Sequence, residues 1–135
     1  MREFRYRFRV EFYDVDSMDV VWHGNYVKFL EAARCAFLRD VGFEYMNFRD
    51  IGVVLPIIKM EFKFIKPLFF GDECEIRVRL NEYETTLKLN YEIYKDNTLI
   101  AKASTAQAYV DIDNKLTLFS VPEPFLKALR SRYEI

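Results

Sequence analysis

Between residues 14 and 26 the chain gathers Asp14, Asp16, Asp19, its single histidine His23, and Asn25. A free aspartate, with a reference pKa near ~3.9, is ionised at neutral pH. It can attack a carbonyl carbon as a nucleophile or draw a proton from water as a general base. An imidazole titrates near neutrality and can move a proton in either direction. These residue types also have a plainer use. Aspartate folds back onto local backbone in turns, which by itself accounts for Asp14 and Asp16, and a lone histidine is most often a surface or satisfied core residue. Which use applies depends on what surrounds the segment.

Upstream, Phe4, Tyr6, Phe8, Val10 and Phe12 alternate with Arg5, Arg7, Arg9 and Glu11, the period of a half-buried strand. Residues 13–25 break that alternation and read as a loop. From Tyr26 the apolar positions become Tyr26, Phe29, Leu30, Ala33, Phe37 and Val41, which is helical spacing, with Lys28, Arg34, Arg39 and Asp40 placed elsewhere around the helix. Asn25 reads as its N-cap and Gly42 as the residue that ends it. The catalytic candidates therefore precede a helix N-terminus, whose unpaired N–H groups and partial positive charge suit an oxygen that gains negative charge during reaction.

A loop over residues 43–52 follows, and alternation then returns over 58–64, 74–80, 87–93 and 101–110. The breaks at 81–84 and 96–97 are short enough for hairpins, so these strands are expected to be antiparallel neighbours. Amphipathic turns around Phe125, Leu126 and Leu129 close the chain. Five one-sided strands and one long helix predict an α+β domain in which an antiparallel sheet curls around that helix. Residues 1–135 are expected to form that single domain. The outward arginines Arg5, Arg7 and Arg9 are expected to pair with Glu61 and Glu75 across strands.

Twenty basic against twenty-one acidic residues leave a net charge of -1, which gives no field to gather nucleic acid. Met1 to Arg5 contain no leader-like apolar run, and no stretch reaches the length of a membrane span. Cys35 and Cys74 are too few and too far apart for a zinc site or a disulfide framework, which points to a cytoplasmic protein. Cys35, among alanines on the helix, reads as small core filler.

The segment Asp14-x-Asp16, Val21-Trp22-His23, Asn25-Tyr26, Phe29 and Glu31, continued by Ala32-Ala33-Arg34, resembles the hotdog-fold acyl-CoA thioesterases of the 4-hydroxybenzoyl-CoA thioesterase type. That type includes the short-chain acyl-CoA thioesterases linked to the bacterial Tol-Pal system. The resemblance implies hydrolysis of an acyl-CoA to free acid and CoA. It puts the catalytic carboxylate at Asp16, as nucleophile or general base, and the oxyanion donor at the backbone N–H of His23 or Gly24. Asn25 and Tyr26 join them as positioning residues; Glu31 and Asp19 are secondary. The His23 side chain, replaced by tyrosine in relatives, is expected to position substrate or water more than to transfer a proton. Many relatives have glycine at Asp19, where aspartate tolerates left-handed backbone better than most residues. The resemblance also implies no metal, no cofactor beyond the CoA of the substrate, and a homodimer or homotetramer with active sites between subunits. The turn at 81–86 lacks the basic residues that some relatives use for CoA phosphates, which leaves Lys63, Lys66 and Lys88 as candidates. Two alternatives stand beside this reading: a hotdog acyl-thioester dehydratase with His23 as base, and a non-catalytic acyl-CoA-binding protein.

Overall fold

In the computed structural model, which describes residues 3–133 and 135, the sheet wraps one long helix. Met1 and Arg2, the start of the segment read as lacking a leader, lie outside the described residues. The strands are β1 (Phe4–Arg9), β2 (Val53–Val54), β3 (Ile57–Phe64), β4 (Glu73–Glu82), β5 (Thr86–Lys95), β6 (Thr98–Asp111) and β7 (Leu116–Leu118). The helices are α1 (Asn25–Val41), α2 (Tyr45–Asp50) and α3 (Glu123–Arg132). The long strands run in the order β1-β4-β5-β6-β3, all antiparallel, while the short β2 and β7 pair with the far end of β6. This is the expected hotdog arrangement of five long strands around a central helix, with two short strands added.

Alternation decides which side chains face α1. Cys74, Ile76 and Val78 on β4 and Leu87, Leu89, Tyr91 and Ile93 on β5 are buried, and so are Tyr26, Phe29, Leu30, Ala33, Phe37 and Val41 on the helix. Outside, Glu3 and Glu75 take the arginines of β1 and β4: Arg79 at 2.7 Å, Arg77 at 2.9 Å and Arg5 at 3.7 Å. The turn joining β5 to β6 places both Asp96 and Asn97 at positive φ, the conformation that a tight two-residue hairpin requires.

Four expectations need correction. Asn25 is the first helical residue and Gly24 is the N-cap; the Asn25 amide is drawn away to the Asp14 carbonyl at 2.7 Å. Residues 43–52 contain α2, whose one buried residue, Phe48, is too little apolar pattern to read as a helix. The first strand ends at Arg9, because residues 12–14 turn into a short 3-10 segment that turns Phe12 out to solvent, 74% exposed. Arg34 is buried, since it follows Leu30 by one helical turn and so shares the inward face.

Candidate active site

The loop before α1 is a small hairpin. Asp16 N–H donates to the Val20 carbonyl at 2.9 Å, Val15 and Val21 form an antiparallel bridge, and Asp19 N–H returns to the Asp16 carbonyl at 3.0 Å. Asp19 sits at φ 62, so an aspartate fills a left-handed position at the tip. The hairpin is fastened to the chain between β3 and β4, where Val21 N–H reaches the Leu68 carbonyl at 2.9 Å and Phe70 N–H reaches Asp19 at 3.2 Å.

Asp14, at the end of the 3-10 segment, and Asp16, two residues on, have opposite fates. Asp14 is 2% exposed. Its carboxylate accepts the Glu11 N–H at 2.8 Å and pairs with the Lys28 ammonium, while its carbonyl accepts the Asn25 amide. It therefore ties the end of β1 and the hairpin to the first turn of α1. Asp16 is exposed at the hairpin's end. Its Oδ1 accepts Met18 N–H at 2.8 Å and Val20 N–H at 3.3 Å, which fixes the rotamer, and its Oδ2 has no partner among the described residues. A carboxylate held by backbone on one oxygen and open on the other is suited to attack or to accept a proton.

At the helix start, Asn25 N–H donates to the Trp22 carbonyl at 2.9 Å and Tyr26 N–H to the His23 carbonyl at 3.3 Å. Those two donors are consumed. Among the described residues, no oxygen accepts the N–H of His23 or Gly24. Trp22 folds back over Gly24: a Cβ at residue 24 would collide with the indole ring, so any other residue there must displace Trp22 or the backbone. The His23 ring is exposed, with Trp22 as its aromatic neighbour at 5.2 Å between centroids. Tyr26 is buried edge-on to Phe64 at 5.0 Å, and burial pushes its hydroxyl up to about 12, so it stays protonated and acts as a wall. Glu31 is exposed and makes no hydrogen bond or ion pair among the described residues.

Of the residues singled out in the sequence, Asp16, Asp19, His23, Gly24, Asn25 and Tyr26 thus belong to one loop and helix start, and Glu31 lies about two turns further along α1. Lys66 lines a cavity of about 310 Å³ with Phe69, Lys95 and Thr98, next to the turn on which the hairpin is fastened. Lys63 lies on β3 opposite Lys102, away from that cavity. Sequence reasoning missed the fastening role of Asp14 and Lys28. The signal was present in the pairing of a second aspartate with a lysine in the first turn of the helix.

A curled antiparallel sheet wrapped around one central helix is a hotdog fold, and the family and relatives make the chain a thioester hydrolase. Residues 10–129 match the family model of the thioesterase-like superfamily, and the chain belongs to that family. It is 31% identical to the acyl-CoA thioester hydrolase YbgC of Escherichia coli over 80% of this chain and 82% of that protein. Among solved structures it resembles a hypothetical protein from Aquifex aeolicus (35% identity, TM-score 0.83, 93% of this chain and 98% of that one). It also resembles a gentisyl-coenzyme A thioesterase (26% identity, TM-score 0.80, 92% and 98% covered).

Proposed function

We propose that this chain hydrolyses acyl-CoA thioesters with Asp16 as nucleophile or general base and the N–H of His23 or Gly24 as oxyanion donor. The observation that carries the reading is the pairing of a backbone-anchored Asp16, open at Oδ2, with two unclaimed N–H donors at the start of α1. Attack on the carbonyl carbon, by Asp16 or by a water that Asp16 deprotonates, builds negative charge on the carbonyl oxygen. One preorganised donor at that oxygen is worth on the order of 10²- to 10³-fold in rate. Collapse expels the CoA thiolate, whose conjugate acid near pKa ~8.5 makes it a good leaving group without a strong general acid; on the nucleophile route, water then opens the acyl–Asp16 anhydride to free acid and carboxylate. This accounts for a site with one central carboxylate. His23 and Trp22 border the site and orient substrate or water, Asn25 holds the helix start to Asp14, and Asp19 sets the hairpin tip. Glu31 is assigned a secondary role towards a partner subunit.

The protein acts as a homodimer or homotetramer in the cytoplasm, each chain a single domain, using no metal or cofactor besides the CoA of its substrate. Support for self-association comes from β3, an edge strand that leaves Ile57, Ile58 and Phe64 exposed, with exposed Ile65 directly after it. No helix among the described residues is long and apolar enough to cross a membrane. The dehydratase alternative needs a carboxylate paired with His23, and its ring has no such partner among the described residues.

The test is CoA release from short, long and aromatic acyl-CoAs by wild type and Asp16→Asn. Turnover by wild type, lost in a folded variant, upholds the reading. Acyl-CoA binding with no release by wild type replaces it with the non-catalytic alternative.

A further inference from the structure

Two backbone donors fix Oδ1 of Asp16, and the longer bond depends on a neighbouring segment. Met18 N–H reaches that oxygen at 2.8 Å and Val20 N–H at 3.3 Å. Val20 is also bridged to Phe69, in the chain between β3 and β4. Phe70 N–H donates to the Asp19 carbonyl at 3.2 Å, and Asp19 N–H donates to that of Asp16 at 3.0 Å. The placement of residues 69 and 70 therefore sets where the Val20 donor and the hairpin tip stand relative to the Asp16 carboxylate.

Residue 69 is held by another aspartate. The Asp72 side chain is 13% exposed, and its two oxygens have separate tasks. Oδ2 accepts the Phe69 N–H at 2.8 Å, while Oδ1 pairs with the Lys95 ammonium at the end of β5, also at 2.8 Å. Because the ammonium claims one oxygen, the other stays aimed at the amide.

The backbone of the same turn is tied independently of that side chain. Val10 N–H donates to the Asp72 carbonyl at 2.8 Å, Gly71 N–H to the Val10 carbonyl at 3.0 Å and Asp72 N–H to the Phe69 carbonyl at 3.1 Å. Leu68 is sealed in the core. These ties keep the turn on β1 whatever side chain stands at 72. The Phe69 ring is 43% exposed, so packing does not stand in for the carboxylate. Removing the carboxylate thus leaves the sheet closed and loosens the Phe69 amide, the link that leads through Val20 to Asp16.

We propose that Asp72 is a positioning residue for the hydrolysis: through the Phe69 amide it fixes Val20, and through Val20 the carboxylate of Asp16. Lys95 sets which way the Asp72 carboxylate faces. This rests on the reading of Asp16 as the catalytic group and names what holds that group in place. A misplacement of about 1 Å at a reacting group costs on the order of 10²-fold in rate, and it falls on kcat when the contacts that bind substrate are untouched.

The test is kcat and KM, counted per folded molecule, for the acyl-CoA that wild type hydrolyses fastest. Asp72→Ala should lower kcat roughly tenfold or more with KM within about twofold of wild type. Asp72→Asn keeps the shape of the side chain. With Lys95 present its amide oxygen turns to the ammonium and its NH2 group meets the Phe69 N–H, two donors face to face, so kcat should fall here too. Adding Lys95→Met frees that oxygen to accept from Phe69 and should bring kcat back to within about threefold of wild type. This recovery does not depend on Asp72→Ala folding, and a residue serving stability alone would lose further on the second substitution. In a chain that already carries Asp16→Asn, Asp72→Asn should cost nothing more, because the group it positions is gone. Wild-type kcat in Asp72→Asn, no recovery on adding Lys95→Met, or an equal loss in the Asp16→Asn chain overturns the proposal. Failure of wild type to release CoA, or a wild-type rate in Asp16→Asn alone, is a different result: it removes Asp16 from its role and this inference with it.

Discussion

The two halves of α1 sit in different surroundings. Around its C-terminal half, Phe37, Leu38, Phe48, Phe125 and Tyr133 are sealed from solvent, with Phe48 and Phe125 in ring contact at 4.7 Å. Around its N-terminal half, Trp22, Met18, Phe69 and Phe70 stay exposed, and the hairpin is held mainly by hydrogen bonds and the Asp14–Lys28 pair. One end stores apolar burial, while the other fixes a few polar groups and leaves room for a ligand. The difference shows how a small fold keeps stability and chemistry apart on one helix: mutations at one end should change how much protein is folded, and at the other how fast the folded protein works.

Five measurements can break or sharpen that separation. The largest expected effect is at the open end, where Asp16→Asn should lower kcat by roughly 10³- to 10⁴-fold with little change in melting temperature. A large stability loss in this variant would mean that Asp16 serves the hairpin rather than the chemistry. Next, Phe125→Ala at the dry end should cost about 3–5 kcal/mol in denaturant unfolding, while activity per folded molecule stays near wild type. A fall in kcat as large as the loss of stability would show that the two ends are coupled.

Asp14→Asn lies between the two regimes. It leaves the Lys28 ammonium without its buried partner and should cost about 1–3 kcal/mol of stability. Activity should fall as well, because the hairpin loses its tie to α1. Gly24→Ala should slow hydrolysis about tenfold or more by driving Trp22 or the backbone away, and Trp22→Ala in the same chain should recover part of the loss. No recovery would place the fault in the backbone itself. The smallest effect concerns the thiols. Cys74 is buried, and its thiol is pushed up to about 12 by that burial, so a thiol reagent at pH 8 should label Cys35 first and Cys74 only on unfolding.

Much of the fold was legible because period and burial agree. The alternation over β4 and β5 and the stripe from Tyr26 to Val41 each specify one face, and the sheet and helix bury those faces. Three features were hidden for different reasons. Phe12 continues the parity of β1 but belongs to a turn, since alternation cannot mark where a strand stops. Asn25 has the chemistry of a cap and is used instead to reach Asp14, a partner eleven residues earlier. Arg34 looked like a solvent residue because charge was given more weight than its position one turn after Leu30.

For the site, the sequence by itself determined the inventory: one histidine, three nearby aspartates and a helix start, joined by local chain that cannot separate them. The resemblance already favoured Asp16 over Asp14, but only the tertiary structure gave the physical reason, because the Glu11 N–H and the Lys28 ammonium close around the Asp14 carboxylate and not around that of Asp16. It alone decided which N–H groups stay open, since the first-turn hydrogen bonds consume those of Asn25 and Tyr26. The meeting of Arg34 with Tyr45, Tyr91 and Gln107 was likewise beyond the sequence. These residues come from separate elements, and what joins them is the wrapping of the sheet around α1, a long-range consequence of burying both apolar faces at once.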